Sequence, residues 1–162
     1  MTSSVHPETY GYFYNGYLSQ FHKSPFTVDE YTYNCGEQAM MHQKALLFDD
    51  LVTAQKILVE TKPASIKRLG RQVKHFNNIT WNNNKINIVY INNLAKFTQN
   101  TELKERLCKT VPNILVEAAA NDRIWGIGYN EYNAKKVDVS SWGENLLGQI
   151  LTKVRTDIIT DT

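Results

Sequence analysis

An acid and an amine share the apolar stripe of one helix in this sequence, on the face that is expected to be buried. The stretch Tyr33-Asn34-Cys35-Gly36-Glu37-Gln38-Ala39-Met40-Met41-His42-Gln43-Lys44-Ala45-Leu46-Leu47-Phe48 reads as a helix from Gly36 to Phe48. Asn34 has the chemistry of an N-cap, and Glu37 completes a capping-box pattern. At about 100° per residue, Glu37, Met41, Lys44 and Phe48 fall on one narrow stripe, with Met40 and Leu47 at its edge. The opposite side, with Ala39, Gln43 and Leu46, is not clearly a solvent face, so cover on two sides is expected. Two readings stay open. In the structural one, Glu37 bonds back to the Asn34 amide and Lys44 snorkels past the methionines to water. In the chemical one, the conflict between pattern and burial marks a reactive centre.

The chain of 162 residues, 42% of them hydrophobic, suffices for one ordinary domain with a sizeable core. Residues 1–8 are polar and read as a loose arm, 9–159 as a single domain and 160–162 as a tail. With 18 basic and 16 acidic residues the net charge is +2, which excludes a strongly basic nucleic-acid coat but not a local phosphate pocket. No window approaches the ~18 apolar residues of a membrane span, and no apolar signal core opens the chain. The expectation is a cytoplasmic protein that does not engage membranes. Cys35 and Cys108 are too far apart in sequence to form a metal-type pair. Cys35 precedes a helix N-terminus, where a thiolate is stabilised, but a buried inert thiol is the favoured reading.

Taken in order, Thr9 to Tyr14 reads as a strand followed by an Asn15-Gly16 turn. Phe26-Thr27-Val28 and Tyr31-Thr32-Tyr33 flank Asp29-Glu30 as a tight hairpin that enters the helix directly. Glu30 suits a positive φ poorly, so the turn type is open. Thr53–Val59 and Ser65–His75 read as helices separated by Lys62-Pro63, the second with Ile66, Leu69, Val73 and Phe76 inward. Asn77 to Asn84 reads as an asparagine-rich loop around Trp81. Ile86 to Gln99 is a longer helix with Val89, Asn93, Lys96 and Phe97 on one side, and Thr101 caps another. Ile114 to Ala118 is a candidate buried strand, and Asn121 to Gly128 a loop in which Gly126 and Gly128 allow unusual backbone angles. Leu146 to Ile159 closes the chain as a helix. The count favours an α+β fold, mostly helical with a small sheet near the start of the chain.

His6, His22, His42 and His75 are scattered and fit no metal spacing, with His42 read as a polar helix-edge residue. Walker, dinucleotide and nucleophile-elbow motifs are absent, and no cofactor is expected. What remains is a set of polar residues in apolar, structured surroundings: Glu37, Lys44, Arg71, Lys96, Asp122, Arg123 and Arg155. A carboxyl on an apolar face keeps its proton and suits a general acid. A desolvated lysine frees its lone pair and suits a nucleophile. Arginines suit phosphate, and Trp81 and Trp125 suit stacking on a heterocycle, although each tryptophan alone is more often core. Residue type alone points to a phosphosugar or nucleotide enzyme.

Read together, these segments resemble the NADAR superfamily, the YbiA-like proteins. The motifs are Leu18-Ser19-Gln20-Phe21 with Ser24-Pro25-Phe26, Glu37 through Ala45, and Leu69-Gly70-Arg71-Gln72-Val73-Lys74. They continue with Trp81, Asn93-Leu94-Ala95-Lys96-Phe97, Asp122-Arg123-Ile124-Trp125-Gly126-Ile127-Gly128, and Asn145-Leu146-Leu147-Gly148 followed by Arg155. The resemblance runs from Gly11 to Ile158. It implies a YbiA-like fold and an N-glycosidase acting at ribose C1′, either on phosphorylated ribosylaminopyrimidine intermediates of riboflavin synthesis or on ADP-ribosylated guanine in DNA. It places Glu37, Lys44 and Asp122 at catalytic positions. Phe21, Arg71, Trp81, Lys96, Arg123, Trp125 and Arg155 fall at substrate-binding positions. The sequence departs at Trp142-Gly143-Glu144-Asn145, one residue shorter than the usual pattern, and at Ala118-Ala119-Ala120, where a proline before Asp122 is missing.

A non-catalytic reader of ADP-ribose is the competing reading, since it needs the arginines and tryptophans but not the Glu37–Lys44 pair. A structural interaction domain, the third, needs neither. The low net charge favours a small molecule over a duplex. The oligomeric state is not legible.

Overall fold

The computed structural model describes residues 9–161, so the expected arm at residues 1–8 lies outside the described residues. The described chain forms two compact units, one built from residues 20–101 and the other from 9–19 with 102–161. The architecture is α+β, mostly helical with little sheet. No described helix is long and apolar enough to cross a membrane.

The first unit is organised around α1 (Gly36–Leu47). A hairpin of β2 (Phe26–Val28) and β3 (Tyr31–Tyr33) leads into it, with Phe26 opposite Tyr33 in antiparallel register. The positive φ of the turn falls on Asp29 (55°) and spares Glu30, as the short aspartate side chain tolerates that region better. Three helices pack on α1: α2 (Leu51–Val59), α3 (Pro63–Arg71) and α4 (Asn78–Gln99). Cover on two sides follows. Met41 and Glu37 are buried on one stripe, and Gln38, Ala39, His42 and Ala45 are buried on the rest.

Several local expectations are corrected. The N-cap of α1 is Cys35, with no side-chain cap bond. In place of an Asn34–Glu37 box, the Gln38 Oε1 accepts the Asn34 N–H at 2.7 Å, which also leaves Glu37 without the capping role of the structural reading. Pro63 opens α3 at its first turn, where its missing N–H is no loss, and the helix ends at Arg71, short of His75. The asparagine-rich segment is the first half of α4: Asn77 Oδ1 accepts from the Thr80 amide at 3.0 Å. Asparagine has modest helix propensity, and the cap with tertiary packing overrides it. His42 is no edge residue. It is 2% exposed, its Nδ1 lies 2.7 Å from the Tyr33 hydroxyl, and burial lowers its pKa.

The second unit holds β1 (Tyr10–Phe13), α5 (Thr101–Cys108), β4 (Ile114–Glu117), a short α6 (Glu131–Ala134), a 3-10 turn at Val139–Ser141 and α7 (Leu146–Thr160). β1 and β4 pair in parallel, Tyr10 opposite Ile114 and Phe13 opposite Glu117. Sheet is therefore not confined to the start of the chain: among the described residues there are two two-stranded sheets, and one recruits a strand from far along the sequence. Val116, Ile127 and Ala134 form one core cluster, with Tyr10, Tyr12, Tyr129 and Trp142 packed against it. Asn145, at φ 52°, precedes α7 and serves as a surrogate strand. Its Oδ1 accepts the Glu117 N–H at 2.9 Å and its Nδ2 donates to the Leu115 carbonyl at 3.1 Å. Gly148 keeps α7 close, because a Cβ there would strike the Leu115 carbonyl and the Asn145 amide.

Candidate active site

The candidate residues fall in both units. In the first unit the central feature is the Lys44 ammonium. Its Nζ donates to the Gly70 carbonyl at 2.7 Å and lies 4.7 Å from the Phe76 ring centroid and 5.6 Å from that of Trp81. Gly70 can present its carbonyl there because it has no side chain; a Cβ would fall on the Met41 sulfur. Burial pushes the Lys44 pKa below the ordinary lysine value, the Glu37 charge pulls it back up, and Arg71 lowers it. Lys44 therefore feels the charges of both Glu37 and Arg71, and Trp81 supplies part of the wall.

Glu37 is 6% exposed, and its amide donates to the Gln20 carbonyl at 2.9 Å. Beside it, Asn93 Nδ2 donates to Gln20 Oε1 at 3.1 Å, while Gln20 Nε2 and Asn93 Oδ1 are buried without a protein partner. Lys96 is 1% exposed, and burial holds its pKa down to about 8, with Cys35 opposing. The Cys35 thiol is pushed up by burial and by Glu37, the opposite of an activated thiolate and in line with the inert reading. Phe21 is exposed, its ring faced by Lys67 Nζ at 5.9 Å. Phe76, read as core, is instead exposed, tilted against Phe48 at 5.3 Å between centroids.

In the second unit, Asp122 Oδ1 accepts the amides of Ile124 and Trp125, both at 2.9 Å. The carboxylate so shapes the loop carrying Arg123 and Trp125. Arg123 is exposed, donates to the Ser141 carbonyl at 2.8 Å and lies 5.9 Å from the Tyr129 centroid. Only Gly128 of the two loop glycines has a positive φ, 77°; Gly126 is needed for closeness, since a Cβ would come within 2.9 Å of the Glu117 side chain. Arg155 is buried on α7 and donates to Thr110 Oγ1 at 2.9 Å, and burial lowers its pKa.

Glu117 escaped the sequence reading. Burial, reinforced by Asp122, raises its pKa to about 8, so the carboxyl is protonated at neutral pH. Its signal was an acid closing an apolar strand, the same conflict that singled out Glu37. A cavity of about 360 Å³ in this unit is lined by Tyr12, Tyr14, Ala118, Asn121, Asn130 and Glu131 among others, and none of the expected site residues lines it. Among the described residues no group of three or more His, Cys, Asp or Glu side chains is arranged to hold a metal ion.

This architecture, with its buried acid and half-buried amine on one helix, is that of a YbiA-like α+β protein. The solution structure of the Escherichia coli protein YbiA superposes with a TM-score of 0.77 at 28% identity, covering 97% of this chain and 89% of that one. The family model described as the NADAR domain matches residues 7–159, and the chain belongs to that family. It is 43% identical over 126 residues to the N-glycosidase R617 of Acanthamoeba polyphaga mimivirus, covering 77% of this chain and 74% of that one. It is also 28% identical over 152 residues to a riboflavin biosynthesis protein of Vibrio vulnificus, 91% of this chain but 38% of that protein.

Proposed function

We propose that the chain is an N-glycosidase that hydrolyses the C1′–N bond of a phosphorylated ribosyl or ADP-ribosyl substrate, a riboflavin-pathway intermediate or ADP-ribosylated guanine. The observation that carries this is the half-buried Lys44 amine, fixed between the Gly70 carbonyl and two aromatic rings and within charge reach of buried Glu37. The N-glycosidase names of its relatives support the reaction, and the name of the Vibrio relative supports the first substrate.

Departure of the base leaves an oxocarbenium-like sugar, so the reaction needs a proton for the leaving nitrogen and an electron-rich group at C1′. Lys44 supplies the lone pair, either attacking C1′ or trapping the opened aldehyde as an imine with loss of water; hydrolysis then returns the free amine and the sugar. Glu37 handles the proton. Asp122 is retained as a second catalytic carboxylate, and Phe21, Arg71, Trp81, Lys96, Arg123, Trp125 and Arg155 as substrate-binding residues, each open to substitution.

Glu37→Gln separates an enzyme from a reader. The variant is expected to lose at least ~100-fold in turnover, the general acid–base contribution, while it still binds substrate. Chromatography of the released base measures turnover and calorimetry measures binding. Unchanged base release would contradict the role of Glu37, and binding with no release by the parent chain would favour the reader.

A further inference from the structure

Two acids stand on one return of the chain in the second unit, and the proposed chemistry uses only Asp122. Glu117 closes β4, and the segment that follows folds back beside it. The Ile127 amide donates to the Glu117 carbonyl at 3.0 Å, and the Asp122 and Gly128 amides donate to the Ala119 carbonyl at 3.3 and 3.0 Å. Asp122 sits at the turn of this return, its Oδ1 held by the Ile124 and Trp125 amides. Gly126 leaves the space that the Glu117 side chain fills, since a Cβ there would come within 2.9 Å of the Glu117 Cγ.

The Glu117 carboxyl is boxed in. Its backbone N–H and carbonyl are already taken by Asn145 and Ile127, and its Oε2 is buried with no protein partner. Phe13, opposite it on β1, is apolar, and Asn145, ahead of α7, is neutral. Arg123, the cation of the return, gives its guanidinium to the Ser141 carbonyl. The charge that reaches Glu117 is that of Asp122, and it has the same sign. A buried oxygen without a donor, facing a like charge, favours the neutral carboxyl. Asp122, with two N–H groups on one oxygen, is the acid built to carry charge.

We propose that Glu117 is a positioning residue for Asp122: its buried, uncharged side chain fixes the return of the chain and leaves Asp122 as the one negative charge there. Ionised, Glu117 would set a second negative charge against the first and pull its own carboxyl toward water. The turn that the Ile124 and Trp125 amides define would then shift. That Asp122 acts on substrate rests on the N-glycosidase reading; the coupling of Glu117 to the Asp122 turn does not.

Amide NMR and steady-state kinetics, followed across the pH range that brackets about 8, test the proposal. In the parent the Ile124 and Trp125 amide signals should move together with a midpoint of about 8. In Glu117→Gln, which keeps the shape and cannot titrate, they should stay still. Glu117→Ala should lower kcat at least ~10-fold at neutral pH with KM little changed, as a misplaced catalytic group does. Glu117→Gln should recover most of that loss. Lys96 also titrates at about 8, so the alkaline limb of kcat/KM is read as a difference, with a shallower fall in Glu117→Gln than in the parent. A Glu117 that only supports the fold would change the melting temperature and leave that limb alone.

Parent amide signals that ignore pH, or that move equally in Glu117→Gln, would overturn the proposal, whether or not Glu117→Ala folds. So would an active Glu117→Gln enzyme with the parent's full alkaline fall. An inactive parent whose amides titrate as expected sinks the N-glycosidase reading alone. An active parent whose amides and profile ignore Glu117 sinks this proposal alone.

Discussion

A carboxyl keeps its proton near neutral pH when it is cut off from water and faces a second acid, and Glu117 meets both conditions. Its ordinary value is 4.5 and its folded value about 8. The folded state thus holds a proton that the unfolded chain releases. The neutral carboxyl's contribution is complete below about 4.5 and is lost as pH rises through about 8. Glu117→Gln preserves shape and removes the titration. Its melting temperature is expected to gain on the parent's steadily between those two pH values, as scanning calorimetry would record. A gap independent of pH would mean that Glu117 ionises normally. Lys44 and Lys96 obey the same physics with the sign reversed, because burial penalises their charged forms.

Asp50 ties two elements together. Oδ1 accepts the Thr53 amide at 3.1 Å and caps α2, and Oδ2 accepts the Lys74 amide at 2.9 Å beyond the end of α3. The Lys74 bond leads the causes that hold its pKa down at about 2, below the ordinary 3.8. Asp50→Ala is expected to cost about 1–2 kcal/mol, the worth of a lost cap, measurable by urea unfolding. The loss is full above the ordinary value and disappears as pH falls through about 2. An equal loss at acid pH would contradict the assignment.

At this scale the sequence was legible where periodicity and packing agreed. The hairpin, α1, the inward face of α4 and the late strand were read within a residue or two. Local chemistry misled where a neighbouring side chain made a different bond from the expected one, or where a partner distant in sequence decided the outcome. Asn34 had the profile of a cap, but Gln38 took its amide. The asparagines before Lys85 resembled a loop, but Asn77 capped them into a helix. The pairing of β1 with β4 joins segments a hundred residues apart, beyond the reach of any local pattern. Glu37 and Lys44 were visible as violations of an apolar stripe. Phe76 was misplaced because α3 stops at Arg71, so the helical spacing that made it core no longer applied.

For the molecule as a whole, family membership spans residues 7–159, and the proposed chemistry turns on one amine, that of Lys44. The alternative role for Lys44 is a fixed cation that holds phosphate, and borohydride decides between the two. The parent chain is incubated in parallel with an ADP-ribosylated guanine oligonucleotide and a phosphorylated ribosylaminopyrimidine, with borohydride present during turnover, and the peptides are mapped by mass spectrometry. The expected result is a reduced sugar adduct on Lys44 that requires substrate, and no turnover by Lys44→Arg, which keeps the cation and removes the nucleophile. An active Lys44→Arg enzyme with no trapped adduct would contradict it.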